Sequence, residues 1–289
     1  CISLFYYYYW FNRVLTDLMF VNICFVNPMC INIICVLILI LLISNSVQAQ
    51  QPAQYSMFML NKYQYNNAYN GLDESLSLTG VFRKQWVGLS GAPLNVNFNA
   101  HLPIEYISSG VGLGFEYDVI GAYKNLSVRA SYSYILDFGK SGKLSLGVAG
   151  RFLQKNLDGT KLLTPDGDYE SGINHNDPIV PVANESGTSF SFDAAAYYKH
   201  KFFELGIAAI NLTQPTLQFA TDAQVRYNRA YFLNASGTIK LNDKFDLLPS
   251  FLLKTDFVKF QPELALLLKW NDTVFGGVAY RGYDVLSTD

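Results

Sequence analysis

Leu94 to Leu102 reads LNVNFNAHL. Leu94, Val96, Phe98, Ala100 and Leu102 fall on one side of an extended chain, and Asn95, Asn97, Asn99 and His101 on the other. Successive side chains of a strand alternate faces, so this stretch is a strand whose two faces meet two different solvents. In a soluble sandwich the apolar side meets a protein core and the asparagines meet bulk water. In a membrane barrel the apolar side meets lipid and the asparagines meet a polar lumen. The flanking sequence separates the two readings.

The alternation recurs downstream. Leu126, Val128, Ala130, Tyr132 and Tyr134 face away from Asn125, Ser127, Arg129, Ser131 and Ser133. Leu144, Leu146, Val148 and Phe152 oppose Lys143, Ser145, Gly147 and Arg151, and Phe190 and Phe192 oppose Ser189, Ser191 and Asp193. We place eleven strands, near 76–83, 94–102, 111–118, 125–134, 143–152, 189–198, 202–211, 230–241, 245–255, 260–270 and 273–283. No window has a convincing helical period, so the chain is all-β. Most of these strands run about 9–12 residues, which suits a tilted bilayer crossing; soluble strands average about 5–6. Aromatic residues stand at their ends, where membrane interfaces attract rings: Trp86, Tyr106, Tyr117, Tyr134, Phe138, Phe245, Trp270 and Tyr283. The polar faces carry occasional charges (Arg129, Arg151, Asp193, Glu263), as a wet lumen allows. On that reading Phe98→Arg is costly and Asn97→Arg is mild. Backbone groups in lipid must all be paired, so the sheet has to close. The expectation is an antiparallel transmembrane β-barrel over residues 73–289.

Tight connections at 107–110, 137–143, 199–201, 242–244 and 271–272 alternate with longer ones at 84–93, 119–124, 156–188, 212–229 and 255–259. Outer-membrane barrels put short turns in the periplasm and long loops outside. The first strand then runs outward and the eleventh ends outside. Single-chain bacterial barrels have even strand numbers, so eleven strands predict a barrel that is incomplete here, C-terminally truncated at Asp289.

Residues 1–49 differ in kind. All four cysteines lie there (Cys1, Cys24, Cys30, Cys35). The run INIICVLILILLI at 31–43 is too short for the roughly 20 residues of a spanning helix but suits the apolar region of a signal peptide. We read 29–49 as that peptide, with Met29 as the start and cleavage between Ala49 and Gln50. Residues 1–28 then become upstream sequence or a non-native extension, and 50–72 an N-terminal periplasmic segment before the barrel. Arg13 and Asp17 cancel, so the exported part keeps the net charge of −2 of the whole chain. It has no basic patch, which argues against nucleic acid as a partner. It has no cysteine either, so its stability must come from backbone pairing and packing rather than disulfides.

Several blocks then carry a resemblance. RKQWVGLSGAP (83–93), QYSMFMLNKYQYNNAYNG (54–71) and DVIG (118–121) are joined by FDAAAYYKHKFFELGIAAINLTQP (192–215). YFLNASGTIKLNDKFDLLPSFLLK (231–254) and WNDTVFGGVAYR (270–281) complete the set. Together they resemble the PorP/SprF family of type IX secretion outer-membrane proteins over nearly all of 50–289, although Asn67 stands where the family usually has proline. The resemblance implies a barrel of about 14 strands in the full protein. It also implies a non-enzymatic role with the type IX secretion and gliding machinery. That role is to assist export or surface attachment of a partner adhesin, with membrane lipid and other secretion components as further partners.

Two loops are candidate partner-binding surfaces. Arg83, Gln85, Trp86, Gly88, Gly91 and Pro93 end the first strand and form the first outer loop; the structural reading, which outweighs docking, makes Trp86 an interface anchor and the glycines and proline turn-formers. Asp166, Asp168 and Glu170 lie in the largest external insertion. Their spacing lacks the closing glutamate of a calcium loop, so they read as a solvated acidic surface with no metal. His101, His175 and His200 have no plausible metal or triad spacing, so no catalytic residue and no cofactor are expected. The rival readings are a passive porin-like channel and a barrel phospholipase.

Overall fold

The computed structural model describes residues 55–282 apart from 56, 90, 179, 220–223 and 272. The readings of 1–28, of the signal peptide 29–49, of its cleavage at Ala49–Gln50, of Tyr283 and of the chain's end lie outside the described residues. So do residues 50–54 of the N-terminal segment.

The first half of the sheet comprises β1 (Ser77–Lys84), β2 (Leu94–Ile104), β3 (Ser109–Ile120), β4 (Tyr123–Asp137), β5 (Lys143–Asp158), β6 (Asn184–Lys199) and β7 (Phe203–Ile210). After the short pair β8 (Thr216–Gln218) and β9 (Gln224–Arg226) come β10 (Ala230–Gly237), β11 (Ile239–Lys240), β12 (Phe245–Thr255), β13 (Phe260–Trp270) and β14 (Val274–Arg281). Eleven of these pair in the order β1-β2-β3-β4-β5-β6-β7-β10-β12-β13-β14, with β11 beside β12 as the twelfth strand of the sheet and β8–β9 a separate hairpin. Every pairing is antiparallel, as the sequence predicts. Among the described residues no helix is long and apolar enough to cross a membrane.

The sheet is inside out. On β2, Phe98 is 48% exposed while Asn97 and Asn99 are each 1% exposed. The same inversion holds for exposed Leu113, Leu146, Phe190, Ile207 and Leu266 against buried Ser133, Ser145, Ser191 and Asp193. An apolar outer face with a polar inner one is what lipid selects in a β-barrel, and water would select the reverse.

One residue shows how tightly the sheet curls. The Tyr55 hydroxyl donates to Glu116 Oε1 on β3 at 3.0 Å, and Arg281 on β14 donates to the Tyr55 carbonyl at 2.9 Å. Laid flat, β3 and β14 stand eight strand steps apart in the pairing order, about 38 Å at 4.8 Å per step. No tyrosine spans that. The sheet therefore wraps round residues 55–72, with β1 and β14 as its edges.

Five expectations change. Strands β4, β5 and β6 have 15, 16 and 16 residues, longer than the lipid-facing pattern suggested. Pairing of β5 with β6 continues to Asp158↔Asn184, so the loop expected at 156–188 shrinks to 159–183. The connection at 212–229 is not plain loop, since it holds the β8–β9 hairpin in the register Thr216↔Arg226. The strand expected at 230–241 is split at Thr238 into β10 and β11, and the Thr238 N–H bonds the Phe202 carbonyl. The largest difference is inside. The lumen is not wet along the LNVNFNAHL strand: residues 55–72 fill it.

Candidate functional site

Residues 55–72 hold three short turns, a 3₁₀ turn at Phe58–Leu60, one α-turn at Lys62–Tyr65 and a second 3₁₀ turn at Asn67–Tyr69. Turns this short cannot satisfy their own carbonyls. The sheet takes up carbonyls that the segment leaves unpaired, within the turns and beside them. Arg129 on β4 donates to the carbonyls of Gln64 and Tyr63, both at 3.1 Å, and its guanidinium lies 4.4 Å from the Tyr63 ring. Lys199 at the end of β6 donates to the Leu72 carbonyl at 2.7 Å. Arg281 does the same for Tyr55. Cationic donors on carbonyls are among the stronger hydrogen bonds, and three strands supply them here.

The asparagines of β2 complete the seat. Asn61 donates to Asn97 Oδ1 at 3.0 Å, Asn99 donates to Asn61 Oδ1 at 3.0 Å, and Asn97 donates to Gln64 Oε1 at 2.8 Å. Gln64 in turn donates to Glu116 Oε2 at 3.0 Å, beside the Tyr55 hydroxyl on the other oxygen. Asn70 and Tyr63 both reach Ser131 Oγ, at 2.9 and 2.7 Å. The question raised by LNVNFNAHL has its answer: the asparagines face a resident segment of their own chain.

His101 lies between the rings of Tyr63 and Tyr69, at centroid distances of 5.2 and 5.8 Å. Its Nδ1 accepts from the Gly71 N–H at 3.4 Å, which assigns the proton to Nε2, 3.6 Å from Asp73 Oδ2. Tyr69 donates to Asp73 Oδ1 at 2.6 Å; burial, and then the Asp73 charge, push its phenol far above the usual range, so it stays a donor. The apolar part of the seat is Tyr55, Phe58 and Tyr65 against Ala208, Phe232, Leu252 and Ala265 of the opposite wall.

Close approach is possible because the wall lacks side chains there. A Cβ on Gly147 would sit 2.6 Å from Ala68 Cα, and one on Gly112 would sit 2.5 Å from Asn70 Oδ1. Those distances are shorter than any real Cβ contact. Glycine inside a strand weakens it and marks such approaches. These inward glycines were the sequence signal for the seat, and alternation alone did not use them.

Nearer the long loops, Arg151 donates through Nε and Nη2 to Asp193 Oδ2 at 3.0 and 2.6 Å, while the Asn211 N–H reaches Asp193 Oδ1 at 3.0 Å. Beyond this pair the loops are stitched together. Ala122, Leu157 and Phe219 form a buried cluster with Leu162 and Val225 packed on it. The Gly121 N–H reaches the Gly91 carbonyl at 3.2 Å.

The predicted site residues fall on two separate loops, linked through Gly121 and Ala122. Arg83, next to last in β1, lies on its inward-facing side, half-buried. The Gln85 N–H closes onto the Pro93 carbonyl at 3.0 Å, and Trp86, Gly88 and Gly91 take positive φ of 49°, 104° and 72° to make the bends. Trp86, Val87 and Leu89 stand exposed at its tip. Asp166, Asp168 and Glu170 are exposed in loop 159–183. Asp168 accepts from the Glu170 N–H at 3.0 Å and from Ser171 Oγ at 3.3 Å, and its backbone pairs with Asn174. His175, which spacing arguments had set aside, organises this loop. It is buried, its Nε2 donates to the carbonyls of Gly159 and Pro181 at 3.1 Å each, and its Nδ1 accepts from Tyr169 at 3.0 Å. Among the described residues no three histidine, cysteine or acidic side chains gather closely enough to hold a metal ion.

No curated protein matches this sequence. The inside-out antiparallel sheet and the blocks that build its seat and loops agree with a family match covering residues 47–288, described as type IX secretion system membrane protein PorP/SprF, and the chain belongs to that family.

Proposed function

We propose that this chain is a non-enzymatic outer-membrane component of the type IX secretion machinery that assists export or surface attachment of one partner adhesin. The observation that carries the proposal is the filled interior of a family member: three wall cations spend their donors on the carbonyls of residues 55–72. A barrel used as a passive conduit leaves its interior open to water. This one uses its interior for structure, which leaves the two external loops as its working surface. Short turns at Phe138–Gly142 and His200–Phe203 then face the periplasm, and loops 84–93 and 159–183 face outside. Partners that bind there are proteins, and the membrane contact is lipid along the Phe98 face.

Gene deletion followed by surface labelling tests this. Display of one cognate adhesin should be lost while other secreted cargo continues to leave the cell. Loss of all secreted cargo, or of none, overturns the role.

A further inference from the structure

We propose that the inner wall is a peptide-binding seat whose occupant is the chain's own segment 55–72, and that this occupant closes the barrel to ions. Three independent features of the seat support it. The wall recognises backbone: Arg129, Lys199 and Arg281 bond the carbonyls of Gln64, Tyr63, Leu72 and Tyr55, as peptide sites do when they must hold an irregular chain. The wall also recognises side chains, through the amide network of Asn97 and Asn99 with Asn61 and Gln64. Its surface is relieved where the segment comes closest, at Gly112 and Gly147.

The occupant matches in composition. It carries one charged side chain between 55 and 72, Lys62, and that one is paired with Glu204 at 2.5 Å. A segment meant for water rarely holds so few charges, whereas one meant for a desolvated interior must. Tyr63, Ala68, Leu72 and Tyr197 lock together as a buried cluster spanning segment and wall. Beside it remains a cavity of about 110 Å³, lined among others by Met59, Lys62, His200, Glu204 and Leu267, space for waters rather than for a porin-like channel. The closure is internal to this chain, so it holds whichever partner the external loops bind.

Planar-bilayer recording on the full chain tests the closure. Wild type should pass no steady current. Gly147→Leu, whose side chain must push Ala68 off the wall, should produce single-channel steps from that silent baseline. Gly150→Leu is the control, because a Cβ there meets nothing within 4 Å, and it should stay silent. Steady wild-type current overturns the proposal. So does a Gly147→Leu barrel that still shows heat-modifiable mobility and remains silent. Should Gly147→Leu fail to fold, labelling of Ala68→Cys by a membrane-impermeant maleimide decides, read against wild type. A protected thiol in the folded barrel supports closure, and a reactive one overturns it.

Discussion

Residues 55–72 and 159–183 look alike as sequence. Neither has a period, and both mix asparagine, tyrosine and glycine among apolar residues. Yet the first is buried against the inner wall and the second stands outside, folded on itself. The inner segment hands its carbonyls and amides to residues 30 to 226 positions away, such as His101, Ser133, Arg129 and Arg281. For Asn70 the separation is 63 positions and for Tyr55 it is 226. The outer loop closes within itself: Tyr169 to His175, Asn176 to Asp166, Asp168 to Asn174. The difference lies in charge. Lys62 is the single charged residue of the inner segment, against Lys161, Asp166, Asp168, Glu170 and Asp177 in the outer loop. In a barrel, polarity does not tell inside from outside, because both are polar. Uncompensated charge does, because only the outside has water to spare for it.

Interior charges should give the largest effect. Arg151→Met leaves Asp193 buried without its cation, and should cost about 3–5 kcal/mol, measured as the denaturant midpoint of the barrel in vesicles. The double change Arg151→Met with Asp193→Leu should recover most of that loss, since it removes the stranded charge. A full-sized loss in the double variant as well would mean that the pair matters for its shape and not for its charge balance.

The two faces of β2 give the next effect. Phe98→Arg puts a charge on the exposed apolar face and should cost about 2–4 kcal/mol if that site is near mid-membrane. The wet-lumen reading made Asn97→Arg mild. The structure removes that expectation, because Asn97 is 1% exposed and bonded to Asn61 and Gln64. Asn97→Leu strands those amides and should cost about 1–3 kcal/mol. An unchanged midpoint for Asn97→Leu would show that the seat is loosely held after all.

The eleven paired strands were legible because alternation is imposed by backbone geometry, residue by residue, and LNVNFNAHL displays it without a break. Strand ends were less legible. Pairing of β5 and β6 outlasts the lipid-facing pattern, since backbone bonds need no apolar side chain to continue. The hairpin β8–β9 spans three residues a side, too short for any period to register. The seat was invisible to alternation for another reason. Asparagine on an inward face is compatible with water or with a bonded peptide, and inward glycines such as Gly112 and Gly147 distinguish them by the space they leave.

The outer loop should respond locally. His175→Phe removes the donor to Gly159 and Pro181 and the acceptor for Tyr169, so the fold of 159–183 loosens. The barrel itself makes no use of those bonds. Its unfolding midpoint should move by no more than about 0.5 kcal/mol, while limited proteolysis should cut the loop faster than in wild type. A large loss of barrel stability would tie the loop to the sheet more closely than its internal bonding suggests.

Smallest of all in stability is the combined change Asp166→Asn, Asp168→Asn and Glu170→Gln. All three side chains are exposed, and among them Asp168 carries the side-chain bonds, accepting from the Glu170 N–H on Oδ1 and from Ser171 Oγ on Oδ2. Asparagine keeps an Oδ1 acceptor, so the turn survives. The midpoint should stay within about 0.5 kcal/mol of wild type. Function is where the change should register: with three negative charges gone from the outer surface, display of the partner adhesin should fall while the barrel remains folded and heat-modifiable. Rising salt should weaken wild-type capture in the same direction, because exposed charges are screened over about 8–10 Å. If display persists in the neutral variant, the acidic loop is only a solvated surface. The exposed Trp86, Val87 and Leu89 of the first loop then become the contact to mutate, and their apolar character predicts capture that salt does not weaken.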